Sequence, residues 1–462
     1  MDPIKEEMSN QVSEEKTKKQ KRALFYKTVW RWHFYAGIII APFLLILALT
    51  GSVYLFKPQI ENMIYADYYD VTPQDERLAD SEIIDQAKET HPGAVVTSFR
   101  PGEDDTRSSE VGLSSEGESL TVFVNPYTGD SLGELNDEDR IMDKIEEFHG
   151  ELMVGTLGDR IVELAASWGV VLIVTGIFLW LPRKRKGLAG VVYPRFHKGK
   201  MTLRRDLHAV PAFWIAAGMF FLIMTGLPWS GFWGTNFQTI ATNAGVGYPP
   251  SVWVGDAPSS GVQTKEIADV PWAAETLDVP KSNLQGLVPA SIDDITSTAK
   301  REGVHPSYTV IFPNDEEGVY TLSAFPPKAR DEITMHLDQY SGAVLADYRY
   351  DNYESIGKLV ALGITLHKGT EFGIVNQLVS LAICLGIIFI VLSGFYLWWK
   401  RKPQHGMGAP KSGGLFNMKL FFIVLIGLGI LFPLVGLSII CILLIDLLLI
   451  KRIPALRRFF NA

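Results

Sequence analysis

The sequence predicts an integral membrane α-helical bundle of about six spans, five being the alternative, built from two parallel span–domain–span repeats. Two observations lead there. Apolar runs of membrane-crossing length alternate with acidic stretches of domain size, and the whole pattern occurs twice in register. A helix of about 20 apolar residues crosses a hydrocarbon core of roughly 30 Å. Five runs reach that length: Phe34–Phe56, Ile161–Leu181, Ala209–Trp229, Val375–Trp399 and Leu420–Ile450.

Charge orients the chain. Residues 1–31 carry eight Lys/Arg, residues 183–206 carry nine against one acid, Asp206, and KRK at 400–402 closes the fourth span. Residues 57–160 carry eight basic and 25 acidic residues, and residues 231–375 carry nine and 18. Basic flanks stay cytoplasmic, so the N-terminus is expected inside and both acidic stretches outside. The elements then run in order. A charged cytoplasmic tail (1–29) leads into TM1 (30–56), a first extracytoplasmic domain (57–160) and TM2 (161–182). A basic cytoplasmic loop (183–206), TM3 (207–230) and a second extracytoplasmic domain (231–374) follow, the last with an unmatched insertion at 231–290. TM4 (375–399), a cytoplasmic loop (400–416), a TM5–TM6 hairpin (417–450) and a cytoplasmic tail (451–462) complete the chain. The hairpin is expected because Pro433, in LFPLVG at 431–436, removes a helix hydrogen bond inside a run too long for one span.

The first apolar run starts late and lacks a small-residue cleavage site, so it reads as a retained span. Cys384 and Cys441 both lie in apolar runs and cannot staple an exported domain. The acidic stretches make nucleic acid a poor partner.

The repeat is specific. Eighteen residues after His33 and His208 comes the glycine of a Thr-Gly pair, Thr50-Gly51 and Thr225-Gly226. Six residues after His149 and His367 come Gly155 and Gly373, and 27 residues after them come Gly176 and Gly394. NPYTGD at 125–130 parallels DQYSGA at 338–343, and THPG at 90–93 parallels VHPS at 304–307. Within each polar stretch a helix-like segment (Ser81–Thr90; Ile292–Glu302) precedes strand-like runs, VVTSF and LTVFV in one, YTVIF, VYTLSAF and ITMHL in the other. That layout predicts a helix on a small antiparallel sheet in each.

Four of nine histidines therefore recur at span boundaries, His33 and His208 on one face, His149 and His367 on the other. Paired neutral imidazoles across a bundle are the ligand set of a b-type haem, and two pairs predict two haems. A flat macrocycle needs small neighbours. Gly37 and Ala41 follow His33 by four and eight residues, and Ala212 and Ala216 follow His208 likewise, on the ligand's own face. Gly155, Gly373 and Gly150 offer clearance at the other pair. Arg31, Arg204 and Arg205, with Arg160 or Lys368 at the other face, are candidates to pair with propionates. A lone boundary histidine is more often an interfacial side chain, and small residues four apart are ordinary membrane packing; four in register favour ligands. A zinc or copper site is the rival, and only Asp206 stands near as a carboxylate. His197 and His405 are read as solvated, His91 and His305 as turn residues, and His336, where the first stretch has Phe123, as surface. No CxxCH, Gly-rich phosphate loop or flavin or nicotinamide fingerprint is present.

WRWHFYAGIIIAPFLLILALTGSVYLFKPQIE, LHKGTEFGIVNQLV and the repeated NPYTG/DQYSG turn resemble the PepSY-associated transmembrane proteins of bacteria, from about Val29 to the last span. The resemblance implies a PepSY-like α+β fold for each extracytoplasmic domain. It also implies a place in the bacterial cytoplasmic (inner) membrane, and, from members that look like ferric-siderophore reductases, two b-type haems held by His33, His208, His149 and His367. The expectation is an electron conduit from a cytoplasmic or quinol donor to an extracytoplasmic ferric siderophore or other metal chelate. Trp229, Phe232, Trp233 and Phe237 are a candidate outer docking surface. The rival is a haem-free regulator or sensor whose PepSY domains bind peptides or a protease.

Overall fold

The computed structural model describes residues 3–181, 188–247, 259–282, 288–404, 406–410 and 419–461. The RKRK stretch at 183–186, His405 and residues 248–258 of the insertion lie outside them. The helices are α1 (Pro3–Tyr54), α2 (Lys57–Ile64), α3 (Ala66–Tyr69), α4 (Asp80–Thr90), α5 (Ile141–Glu151), α6 (Gly155–Trp180) and α7 (Lys200–Gly226). Then come α8 (Trp233–Asn243), α9 (Ile292–Arg301), α10 (Ser355–Lys368), α11 (Ile374–Trp399), α12 (Lys419–Leu431), α13 (Pro433–Ile445) and α14 (Pro454–Phe460). The strands are β1 (Val95–Arg100), β2 (Ser109–Ser115), β3 (Glu118–Val124), β4 (Ser131–Asn136) and β5 (Ser259–Gln263). β6 (Asp278–Pro280), β7 (Tyr308–Ile311), β8 (Val319–Ala324), β9 (Ile333–Asp338) and β10 (Val344–Arg349) complete them. The chain divides into two compact units.

The first unit comprises Met1–Ser52, His149–Gly234 and Leu381–Ala462. Among the described residues five helices are long and apolar enough to cross a membrane: Arg22–Tyr54, Gly155–Trp180, Lys200–Trp229, Ile374–Trp399 and Pro433–Ile450. Each buries a stripe and leaves the rest of its apolar surface outward, as a helix facing lipid must. On α1 the stripe is Ala36, Ile40, Leu44 and Ala48, one residue per turn, while Ile39 and Leu49 are exposed. Trp168 and Val171 of α6, Met219 and Ile223 of α7, and Val435 and Ile439 of α13 join the same core.

The last apolar run breaks at Phe432, where Pro433 opens α13. The break is tight: a Cβ on Gly429 would come within 3.0 Å of the Gly436 Cα, so only glycines let the two arms meet. The Trp168 indole donates to Ser438 Oγ at 2.9 Å and ties the hairpin to α6. The segment expected as a fifth span contains α12, of which 13 residues are described, about 20 Å at roughly 1.5 Å per residue.

The second unit comprises Val53–Phe148 and Thr235–Ser380. The sequence predicts a separate small sheet in each polar stretch; the structure joins them. One eight-stranded antiparallel sheet runs β10-β9-β8-β7-β1-β2-β3-β4, with β1 and β7 meeting at Ser98↔Ile311 and Phe99↔Val310. Helices α4 and α9 lie side by side across the seam, where Thr296 Oγ1 donates to Asp80 at 2.6 Å and the Ser81 N–H donates to Asp293 at 3.2 Å. The matched turns share one pattern. In NPYTGD the Asn125 N–H donates to the Asp130 carbonyl, with Gly129 at φ +79°. In DQYSGA the Asp338 N–H donates to the Ala343 carbonyl, with Gly342 at φ +64°. The insertion supplies β5, β6 and a turn at Thr264 that lies on the sheet.

Candidate functional site

His33 lies on α1 and His208 on α7, the first helices of the two sequence repeats, both half-buried. The two rings lie within electrostatic range of each other. The Nδ1 of His33 is 2.9 Å from Thr175 Oγ1 on α6. The Nδ1 of His208 is 3.1 Å from the Ile390 carbonyl and 3.3 Å from Ser393 Oγ on α11. A glycine follows each hydroxyl and makes room for the ring. A Cβ at Gly176 would stand 3.2 Å from the Cε1 of His33, and one at Gly394 would stand 3.1 Å from that of His208. Among the described residues nothing bonds to the Nε2 of either ring.

His149, in the last turn of α5, has the same setting at the far end of α1. Its Nδ1 is 2.8 Å from Thr50 Oγ1, and a Cβ at Gly51 would be 3.3 Å from its Cε1. His367 occupies the last turn of α10 in the second unit. There the turn that follows it packs on the chain just beyond α1: a Cβ at Gly369 would meet Leu55, and Gln377 Nε2 donates to the Leu55 carbonyl at 2.8 Å.

The small residues expected beside the ligands divide in two. Gly37 leaves space, since a Cβ there would meet only Leu172 at 3.9 Å; Ala41 is buried, and Ala212 and Ala216 are half-buried. Gly155 and Gly373 owe their identity to backbone conformation instead. Both have φ +57°, both stand at the entry to the following helix, and a Cβ on either would touch nothing.

Arg31 and Arg205, expected to serve a cofactor's carboxylates, have protein partners. Arg31 donates to the carbonyls of Pro410 and Asn461 at 2.9 and 3.0 Å and so fastens the C-terminal segment to α1. Arg205 and Arg195 both bond the buried Asp206 carboxylate, at 3.0 and 2.6 Å. Arg204 lies over the Tyr396 ring, Arg160 pairs with Asp159 at 2.6 Å, and Lys368 lies over Phe325. Gly150 has open space around it. With Asp206 engaged by arginines, no three His, Cys, Asp or Glu side chains converge on a metal position among the described residues. Of the aromatic surface residues, Trp229 and Phe232 are exposed, but the Trp233 indole donates to the Leu431 carbonyl at 2.8 Å and Phe237 packs on Trp272.

A protein-family model described as "PepSY-associated TM region" matches residues 30–401. The chain belongs to this family. No curated protein matches it. It is a multi-pass membrane protein of the PepSY-associated TM family, and α12, α13 and α14 lie beyond the matched region.

In this family member the second unit gathers charge near His367. Lys57 bonds Asp143 at 2.6 Å and faces Glu61 at 3.7 Å and Glu146 at 3.9 Å. Lys368 interacts with Asp269 and Glu332, and Glu371 adds to the negative field at Glu332. Burial pushes the Glu332 carboxyl up to about 8 and raises Glu61 and Asp269 as well.

Sequence reasoning missed two things. His336 is fully buried rather than on the surface, because the insertion turn at Thr264 covers that part of the sheet. The hydroxyls of Thr175 and Ser393 also went unread; the signal was there, since each immediately precedes a glycine already matched in register with the other. His91 sits 3.3 Å from Glu134, and His305 bonds Ser307 within its turn.

Proposed function

We propose that this protein is a di-haem transmembrane electron-transfer protein. It reduces an extracytoplasmic ferric chelate of siderophore type, so that iron is released. One observation carries the reading. Two half-buried imidazoles on matched helices lie within electrostatic range, each with Nδ1 held by a neighbouring helix and, among the described residues, no hydrogen bond to Nε2. A macrocycle that brings four nitrogens of its own needs only two ligands from the chain, which suits a site where, among the described residues, no third metal-binding side chain converges. His33 and His208 would hold one haem. His149, with the same Thr-Gly setting, would hold the second with His367, which enters through the sequence register.

Bound haem supplies one-electron redox chemistry near each membrane face. The chain's own part is to hold the imidazoles, set their tautomer and bring donor and acceptor to opposite sides. In this reading two parallel span–domain–span repeats make the bundle, and α12 with α13 make the hairpin of a six-span topology. The chain lies in the bacterial cytoplasmic membrane with its N-terminus in the cytoplasm and the second unit outside. A quinol or cytoplasmic protein is the donor. Reduction weakens the grip of hard oxygen ligands on iron.

The test is direct. Full-length protein purified from haem-replete cells should show a Soret band and sharp reduced α-bands at about two haems per chain. His33→Ala and His208→Ala should each remove the same haem and His149→Ala the other. Colourless protein sinks the reading. It would favour a haem-free regulator that binds peptide strands, for which β4, paired on one side only, offers an edge.

A further inference from the structure

Three dipeptides share one design: Thr50-Gly51, Thr175-Gly176 and Ser393-Gly394. Each stands on a helix other than the one that carries its histidine, with the hydroxyl at Nδ1 and the glycine under Cε1. Each hydroxyl also has a backbone carbonyl within reach to take its proton. Thr50 Oγ1 donates to the Ile46 carbonyl at 2.8 Å, Thr175 Oγ1 to Val171 at 2.7 Å and Ser393 Oγ to Ile390 at 3.0 Å. A hydroxyl has one proton, so an oxygen that has given it to the backbone can only accept. Nδ1 is the donor to such an oxygen, and the neutral ring then keeps its lone pair on Nε2. At His208 the Ile390 carbonyl, which has no proton to give, forces the same tautomer by a second route.

We propose that Thr50, Thr175 and Ser393 are positioning residues that lock their histidines as the Nδ1–H tautomer and strengthen them as iron ligands. The adjacent glycines set the ring plane. The proposal rests on the di-haem reading for its consequence at iron, but the lock itself is a property of the protein alone. A histidine that donates its remote N–H to an oxygen is a more basic ligand. It favours the ferric state and holds the reduction potential down.

Two measurements separate the two claims. Nitrogen NMR of full-length haem-free protein labelled at histidine should show Nδ1–H with an unprotonated Nε2 at His33 and His149. The Nε2–H form at either overturns the lock, whether or not haem ever binds. In haem-loaded protein, potentiometry should find one haem shifted positive in Thr175→Val, the other unmoved, and the shift reversed in Thr175→Ser. Loss of that haem from Thr175→Val, restored by Thr175→Ser, supports the same role. Unchanged potentials with full haem content, or equal haem loss in both variants, refute it.

Discussion

Replacing His336 with glutamine removes one proton-binding site from the interior of the sheet while keeping a polar partner for Thr321. His336 lies on β9 with no exposed surface. Its Nδ1 is 2.9 Å from Thr321 Oγ1, its Nε2 is 3.5 Å from Thr264 Oγ1, and its ring edge meets Tyr348. With burial as the cause, its pKa falls to about 4 from an ordinary 6.5. Between those values the unfolded chain binds a proton that the native ring refuses. Protonation therefore favours unfolding: the stability is fully present above pH 6.5 and drains as pH falls towards 4. The gap between 4 and 6.5, at about 1.36 kcal/mol per pH unit, makes the loss about 3 kcal/mol. Hydrogen exchange of the β8 and β9 amides in detergent-solubilised full-length protein reads it directly. Wild-type protection, corrected for the intrinsic rate, should fall relative to His336→Gln by about 100-fold between pH 7 and pH 4, a factor equivalent to roughly 2.7 kcal/mol. Parallel curves would refute the reasoning, because a constant offset reports packing rather than a proton.

The remaining predictions concern other sites. Gly176→Leu places a side chain where His33 sits and should halve the haem per chain, whereas Gly427→Leu, in open space, should leave it unchanged. Glu332 holds its proton up to about pH 8 against an ordinary 4.5, so the native state binds a proton that the unfolded chain releases. Its contribution is present below pH 4.5 and lost as pH rises through 8; Glu332→Gln should flatten the decline in melting temperature from pH 5 to pH 9. The second unit carries 16 basic and 41 acidic residues, a formal charge of −25. Reoxidation of the reduced protein by a cationic ferric chelate should therefore slow as salt is added, and by an anionic one should quicken; the opposite signs would remove any steering role for this unit.

What the sequence revealed tracks the range of the physics. Apolar runs report burial in lipid residue by residue, so α1, α6, α7, α11 and the break at Pro433 were legible. So were α4, α9 and the two Asn/Asp-x-x-x-Gly turns, each fixed by local hydrogen bonds. β2 was not: SEVGLSS has too little apolar alternation to announce a strand, though pairing with β1 and β3 buries Val111 and Leu113 completely. His336 failed for a related reason, because what buries it lies 72 residues away at Thr264. At the candidate site the histidines were found by register. Their acceptors were not, since a threonine inside a membrane helix reads as packing until its partner is known.

The sheet gives a physical reason for the strands of the two polar stretches to join. Four strands of the first stretch alone would leave β1 as an open edge, with Phe99 on it, and four of the second would leave β7 likewise with Val310. Both side chains are fully buried in the joined sheet. An unpaired apolar edge invites association, and here the partner is the other half of the same chain. The two halves then diverge where they no longer face each other. Phe123 on β3 is covered by Tyr68 and Tyr69 of α3, while His336, its counterpart on β9, is covered by the insertion. The insertion thus does for the second half what a short helix does for the first. It also follows that residues 57–148 expressed alone should expose the β1 edge and associate rather than fold as a monomer. A stable monomeric sheet from that piece would mean the seam is an acquired contact and not a condition of folding.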